Sequence, residues 1–206
     1  GLFGELCGLM GIQADTGTLF EKLYTLSLEG DKDCGGLLAY GYYSGENITM
    51  INEGRLAFLR TAESRFNLAN FMKVHLYTSL GAVKMGLDIL IEDEKVKVDR
   101  IMGHGGFFKT KGVGQRYLAA AVNAPVTVMD TASEGGAWGI ALLAAFLIDR
   151  NSDEKLEDYL ETRIFKELSG ETLMPHDEDI EGFGMFMERY KAGLSIEKCA
   201  IEVMNW

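Results

Sequence analysis

Val98-Asp-Arg-Ile-Met-Gly-His-Gly-Gly-Phe-Phe-Lys-Thr110 and Pro125-Val-Thr-Val-Met-Asp-Thr-Ala-Ser-Glu-Gly-Gly-Ala-Trp-Gly139 decide how this chain is read. Each runs from a strand through a glycine-rich bend into a helix. Glycine lets the backbone turn sharply and lets a ligand reach main-chain N–H groups without meeting a Cβ. A helix that starts just beyond such a bend adds unpaired N–H groups and a partial positive charge, which suit an anion. In the first segment the N–H groups of Gly105, Gly106 and Phe107 are candidate phosphate donors, with the Thr110 hydroxyl one turn further on. Each segment also has a plain packing explanation. The first is then a tight turn without a ligand. In the second, Gly135, Gly136, Ala137 and Gly139 form a small-residue face that lets another element come close. Glycine inside a helix costs ~1 kcal/mol against alanine, so its repeated use asks for close packing or a ligand in compensation. Asp130-Thr-Ala-Ser133 offers the N-cap.

Working outward, the apolar spacing in residues 1–28 predicts two helices broken around Gly11, the second capped by Asp15 or Thr16. Residues 35–43 suit a buried strand, 44–47 a turn, and 48–60 an edge strand or irregular loop. Leu68, Met72, Leu76 and Leu80, joined by Val83, Leu87 and Leu90, predict a long helix over 66–91. A strand at 96–102, a helix at 113–122, a strand at 125–129 and a helix at about 134–148 follow. Alternating strands and helices indicate an α/β fold with a largely parallel inner sheet. Beyond Asp149 the texture becomes polar and helical, at about 153–168, 178–192 and 195–204, as helices expected on the outside of the domain.

The chain has 206 residues, 47% hydrophobic and 25% charged, as an ordinary globular protein does. Its net charge is −11, concentrated in residues 151–206, which carry 14 acidic against 6 basic side chains. An acidic surface argues against nucleic acid as the main ligand. Cys7, Cys34 and Cys199 are few and far apart, which fits a reduced cytoplasmic protein better than a disulfide framework or zinc site. No uninterrupted apolar run reaches ~18 residues and no signal-peptide pattern is present, so no membrane partner is expected. The sequence opens at Gly1-Leu-Phe-Gly inside an apolar pattern and is read as a piece of a longer protein.

No catalytic constellation emerges. The glycine bends match neither G-x-x-x-x-G-K-[ST] nor the dinucleotide fingerprint. His75, His104 and His176 have no metal-ligand spacing, Ser44 lies outside any G-x-S-x-G elbow, and the acidic runs at 92–94 and 177–179 read as solvated surface.

The order of strand, Tyr42-Tyr-Ser-Gly-Glu46, long helix, Val98-Asp-Arg-Ile-Met-Gly-His-Gly-Gly106, helix, strand and Glu134-Gly-Gly-Ala-Trp-Gly-Ile-Ala-Leu-Leu-Ala-Ala145 resembles the C-terminal domain of the FGGY family of carbohydrate kinases. The likeness is to its xylulokinase- or ribulokinase-like members. It spans about residues 1–150 and is strongest at 36–46, 98–120 and 125–146. It implies an actin-like ATPase (ribonuclease H-like) domain, with a mixed central sheet flanked by helices. Residues 151–206 become an acidic helical extension packed on that domain. The resemblance further implies ATP and Mg²⁺ as cofactors, a pentulose such as xylulose or ribulose as acceptor, and a cleft shared with an N-terminal domain that holds the catalytic base. The isolated chain is then expected to be inactive. Carried over by position, Gly105, Gly106, Phe107 and Thr110 face the nucleotide, and Gly135 and Gly136 line or support its adenine side. No catalytic or metal-binding residue is assigned, and a homodimer is one assembly open to such a protein.

The sequence departs from the family at two places. The segment Phe107–Arg116 is about three residues longer than the A-x-S-x-x-W that relatives carry after the glycine pair. Val74 and Tyr77 stand where relatives have a small residue and an acidic or amide group. The alternative function is a non-catalytic actin-like nucleotide-binding or regulatory module.

Overall fold

The computed structural model describes residues 1–129, 135–165 and 170–204. Two short helices open the chain, α1 (Leu2–Leu9) and α2 (Thr16–Ser27). Asp15 caps the second by accepting a 2.9 Å hydrogen bond from the Thr18 N–H. The chain then turns through Cys34, Gly35 and Gly36, all three left-handed, with φ of 65°, 61° and 74°. The turn delivers β1 (Leu38–Tyr40) to an antiparallel pairing with β2 (Ala57–Leu59), Leu38 opposite Leu59. Helix α3 (Leu68–Asp88) follows, capped by Asn67 on the Asn70 N–H at 2.8 Å.

Helix α3 and its continuation to Asp93 are long and apolar enough to cross a membrane, by length and composition. Here the helix is the central beam of the core. Val74 and Tyr77 are fully buried, the Thr78 hydroxyl donates to the Ala39 carbonyl at 2.8 Å, and α2, α4, α7 and β1 pack around it.

Strand β3 (Ile101–Gly103) is shorter than the expected 96–102. Lys95 adopts a φ of 56° and the Val96 N–H donates back to the Leu90 carbonyl, so the chain is still turning where the alternation suggested a strand. Helix α4 (Val113–Val122) matches its expectation and leads to β4 (Val126–Met129), parallel to β3 with Ile101 opposite Val126. Helix α5 (Gly135–Asp149) comes next, and α6 (Leu156–Tyr159) continues as a π-turn to Ile164. The helix expected at 153–168 is thus formed over Leu156–Ile164, with 153–155 and 165 non-helical, and residues 166–168 and the cap expected at Asp130–Ser133 lie outside the described residues.

Strand β5 (Gly170–Leu173) was not legible in the sequence. It pairs antiparallel with β4, Val126 opposite Leu173. Gly-Glu-Thr-Leu has no apolar alternation. The strand is held by its ladder, by the Thr127–Thr172 hydroxyl contact at 2.7 Å, and by Gln115, whose side-chain amide donates to the Val126 and Glu171 carbonyls. The three-stranded sheet is therefore mixed, rather than largely parallel.

The two helices expected at 178–192 and 195–204 are one, α7 (Asp177–Val203). Gly193, between the two expected ranges, serves packing: a Cβ there would sit 2.5 Å from the Tyr40 hydroxyl. The inward face of α7 brings Phe183, Phe186, Met187 and Tyr190 into the same core as α3, α4 and β1. Arg116 of α4 clamps its first turn, donating through Nε and NH2 to both oxygens of Asp179 at 2.5 and 3.0 Å.

Helix α3 approaches α7 closely at Gly81, where a Cβ would sit 2.6 Å from Tyr190 Cζ. Tyr190 is fully buried and cannot swing away. Gly81→Ala is therefore expected to lower stability by about 1–3 kcal/mol through overpacking, despite the better helix propensity of alanine. Urea denaturation of the two proteins checks this, and an unchanged or raised midpoint would contradict it.

Candidate functional site

Because β3 and β4 run parallel, both end on the same edge of the sheet. In α/β sheets ligands bind outside the carboxyl ends of such strands. The bend after β3 spans His104–Gly112, and α5 begins at Gly135. A stacked pair of rings, His104 and Trp138, joins them with centroids 6.2 Å apart and planes 30° apart. The bend after β3 and the start of α5 thus lie beside each other.

The glycines of the first bend divide into two kinds. Gly103 and Gly114 are packing glycines. A Cβ on Gly103 would sit 2.7 Å from the Phe108 ring, and one on Gly114 would overlap the Phe107 carbonyl oxygen. Phe107 and Phe108 meet edge to face at 5.5 Å and pin the bend to the core. Gly105 and Gly106 face open space, with nothing within 4 Å of a Cβ on either. Gly105 has φ 100° and ψ −177°, a region essentially reserved for glycine.

The Phe108 and Lys109 N–H groups are engaged by the carbonyls of Gly105 and Gly106, at 3.1 and 3.2 Å. Among the described residues, the N–H groups of Gly105, Gly106 and Phe107 find no hydrogen-bond partner. A run of unpaired N–H groups at the surface is a place for an anion.

Thr110 and Lys109 line a cavity of about 440 Å³ together with Gly106 and with Gly17, Phe20, Glu21 and Tyr24 of α2. The α2 residues were not singled out as site candidates in the sequence, where Phe20 counted only toward the apolar spacing of a helix. Its half-exposed ring, 6.1 Å from that of Tyr24, instead forms a wall of this cavity. In α5, Gly136 and Gly139 have nothing within 4 Å of a Cβ. The close-packing explanation of that glycine face therefore finds no partner element among the described residues.

The other polar candidates lie away from this edge. Val74 and Tyr77 are fully buried in the core, His75 rests against the Phe71 ring at 4.6 Å, and His176 sits at the N-cap of α7. The strongly shifted titrating groups are also core groups. Burial pushes the Cys34 thiol and the phenols of Tyr40, Tyr77, Tyr117 and Tyr190 far above their ordinary ranges. They are held neutral and offer no acid–base pair. Among the described residues, no group of three or more His, Cys, Asp or Glu side chains is placed to hold a metal ion.

The model of the FGGY family of carbohydrate kinases, C-terminal domain, matches residues 5–148. Among solved structures, the chain is similar to a xylulose kinase from Rhodospirillum rubrum at 16% identity and a TM-score of 0.62, with 88% of this chain and 34% of that one covered. It is likewise similar to a gluconate kinase from Lactobacillus acidophilus, at 16% identity and a TM-score of 0.67, covering 89% and 36%. A Plasmodium falciparum glycerol kinase with ADP follows at 15% identity and a TM-score of 0.57, covering 82% and 33%. No curated protein matches the chain. The chain spans about a third of the length of these kinases and shares their actin-like ATPase fold. With the family model covering most of its length, this chain belongs to the FGGY family of carbohydrate kinases and carries the family's C-terminal domain.

Proposed function

We propose that this chain is the C-terminal, nucleotide-binding half of an ATP-dependent sugar kinase, which passes the γ-phosphoryl group to a sugar hydroxyl. The observation that carries the reading is the unpaired N–H run of Gly105, Gly106 and Phe107, beside the open glycine face of α5. Those groups donate to phosphate oxygens, and the absence of a Cβ at Gly105 and Gly106 allows the approach. The Thr110 hydroxyl adds a donor, Gly136 leaves room on the adenine side, and Gly135 is carried there by position in the sequence. The α2 cavity lined by Phe20 and Tyr24 offers apolar surface for the base.

The donor set fits a nucleotide. Mg²⁺, when bound, would neutralise phosphate charge, and among the described residues no group of three or more His, Cys, Asp or Glu side chains is placed to ligate it. A pentulose such as xylulose or ribulose is the proposed acceptor, supported by the xylulose kinases among the similar structures.

Residues 1–150 make up the nucleotide-binding unit, and the acidic segment 151–206 packs on it through β5 and α7. The apolar faces of α1 and α5, where Leu9 is 86% and Ile148 is 82% exposed, are where an N-terminal kinase domain or a second copy is expected to pack. A cytoplasmic setting fits the three free thiols Cys7, Cys34 and Cys199.

The test is Gly106→Ala, because that position has an ordinary φ and open space. The substitution is expected to leave thermal stability nearly unchanged and to weaken ADP binding by about tenfold or more, as its methyl group blocks the phosphate. Isothermal titration reads the binding. Equal ADP affinity in the two proteins would remove the phosphate role from this bend. In a coupled assay over a pentulose panel, the chain alone is expected to show no turnover, and robust turnover would overturn placing the base in another domain.

A further inference from the structure

We propose that His104 is a positioning residue for the nucleotide phosphates, presenting its Nε2–H to a phosphate oxygen alongside the Gly105–Phe107 amides. The inference rests on the nucleotide reading above and extends it to a side chain that the glycine bend does not require. His104 follows β3 directly and precedes the left-handed Gly105, so its ring leaves the backbone beside the unpaired N–H groups. Stacking on Trp138 of α5 fixes the ring plane between the two glycine segments.

The two ring nitrogens of His104 are not equivalent. Nδ1 is buried without a hydrogen-bond partner, whereas Nε2 is not among the buried unpaired atoms. A neutral imidazole carries one proton, and an unpaired buried N–H is rarer in proteins than an unpaired buried acceptor. The proton therefore resides on Nε2 and leaves a bare lone pair at Nδ1. The accessible nitrogen is then a donor, the polarity a phosphate oxygen needs, and Trp138 prevents the ring from turning away.

The experiment compares the full 206-residue chain with His104→Phe, His104→Gln and His104→Asn, each titrated with ADP and with adenosine. Phenylalanine keeps the stack on Trp138 and removes both nitrogens. Glutamine restores a donor near the Nε2 position, whereas asparagine places its amide near Nδ1. ADP affinity is expected to fall about tenfold in His104→Phe and His104→Asn and to recover in His104→Gln, with adenosine affinity the same in all four. Nitrogen-15 spectra of the histidine side chains should show ADP moving the His104 Nε2 signal, with inorganic phosphate moving it less.

Unchanged ADP affinity in His104→Phe would overturn the inference and leave the nucleotide reading standing. Equal loss of ADP and adenosine affinity would assign His104 to packing and also overturn it. Absence of any ADP response in the unsubstituted chain at millimolar concentration would sink the nucleotide reading and this inference with it. Should His104→Phe fail to fold, the glutamine and asparagine variants decide the matter between them.

Discussion

Ending the chain at Asp149 is expected to abolish its cooperative fold, although the family match itself ends at residue 148. The removed segment contains Phe183, Phe186, Met187 and Tyr190, each at most 4% exposed and packed against Tyr77, Tyr40 and α4. Burying such side chains contributes about 1.5–3 kcal/mol each, so their loss approaches the 5–15 kcal/mol that holds a whole domain together. The truncation also strips β5 from β4 and leaves Arg116 without Asp179. The boundary near residue 150 thus separates proposed roles, while the core runs across it. A milder version is Phe186→Ala, expected to cost about 3–5 kcal/mol. Circular dichroism and limited proteolysis of the 1–149 chain give the answer. A sharp thermal transition within a few degrees of that of the full chain would refute it.

Raising the pH past the ordinary phenolic range is expected to unfold the protein steeply. Tyr40, Tyr77, Tyr117 and Tyr190 are all at most 2% exposed, and burial raises the pKa of each in the folded state. The unfolded chain releases these protons first, at about pH 10. The stabilisation is thus fully present below that pH and is lost above it. Each phenol removes ~1.4 kcal/mol per pH unit, so the four together remove about 5 kcal/mol per unit. A domain of ordinary stability is exhausted one to three units above about pH 10. Tyr77→Phe should flatten the dependence by about a quarter, since the Tyr77 hydroxyl makes only a 3.4 Å contact with the Lys32 carbonyl. Urea midpoints measured across this pH range give the slope, and a dependence matching one tyrosine or none would contradict the burial argument.

Features written locally were legible in the sequence. The Asp15 cap, α4 and the long α3 follow from spacing and side-chain chemistry within a few residues, so they could be read without knowing what packs on them. The glycine bend after β3 belongs to the same kind, and with the order of strands and helices came the fold class. Features set by partners distant in sequence were not legible. The expected helices at 178–192 and 195–204 leave Gly193 between them, yet it admits the Tyr40 hydroxyl from 153 residues earlier inside one continuous helix. The polar β5 becomes a strand because β4 offers it a ladder, and Phe20 becomes a cavity wall because Thr110 faces it.

The sequence by itself determined that this is an α/β chain with a glycine bend after the first of two parallel strands, because turn chemistry and hydrophobic period act over short range. Only the tertiary structure decided which glycines pack and which stay open, and that the acidic C-terminal helix completes the core. Those outcomes depend on contacts between residues far apart in the chain, and composition alone cannot encode their distances.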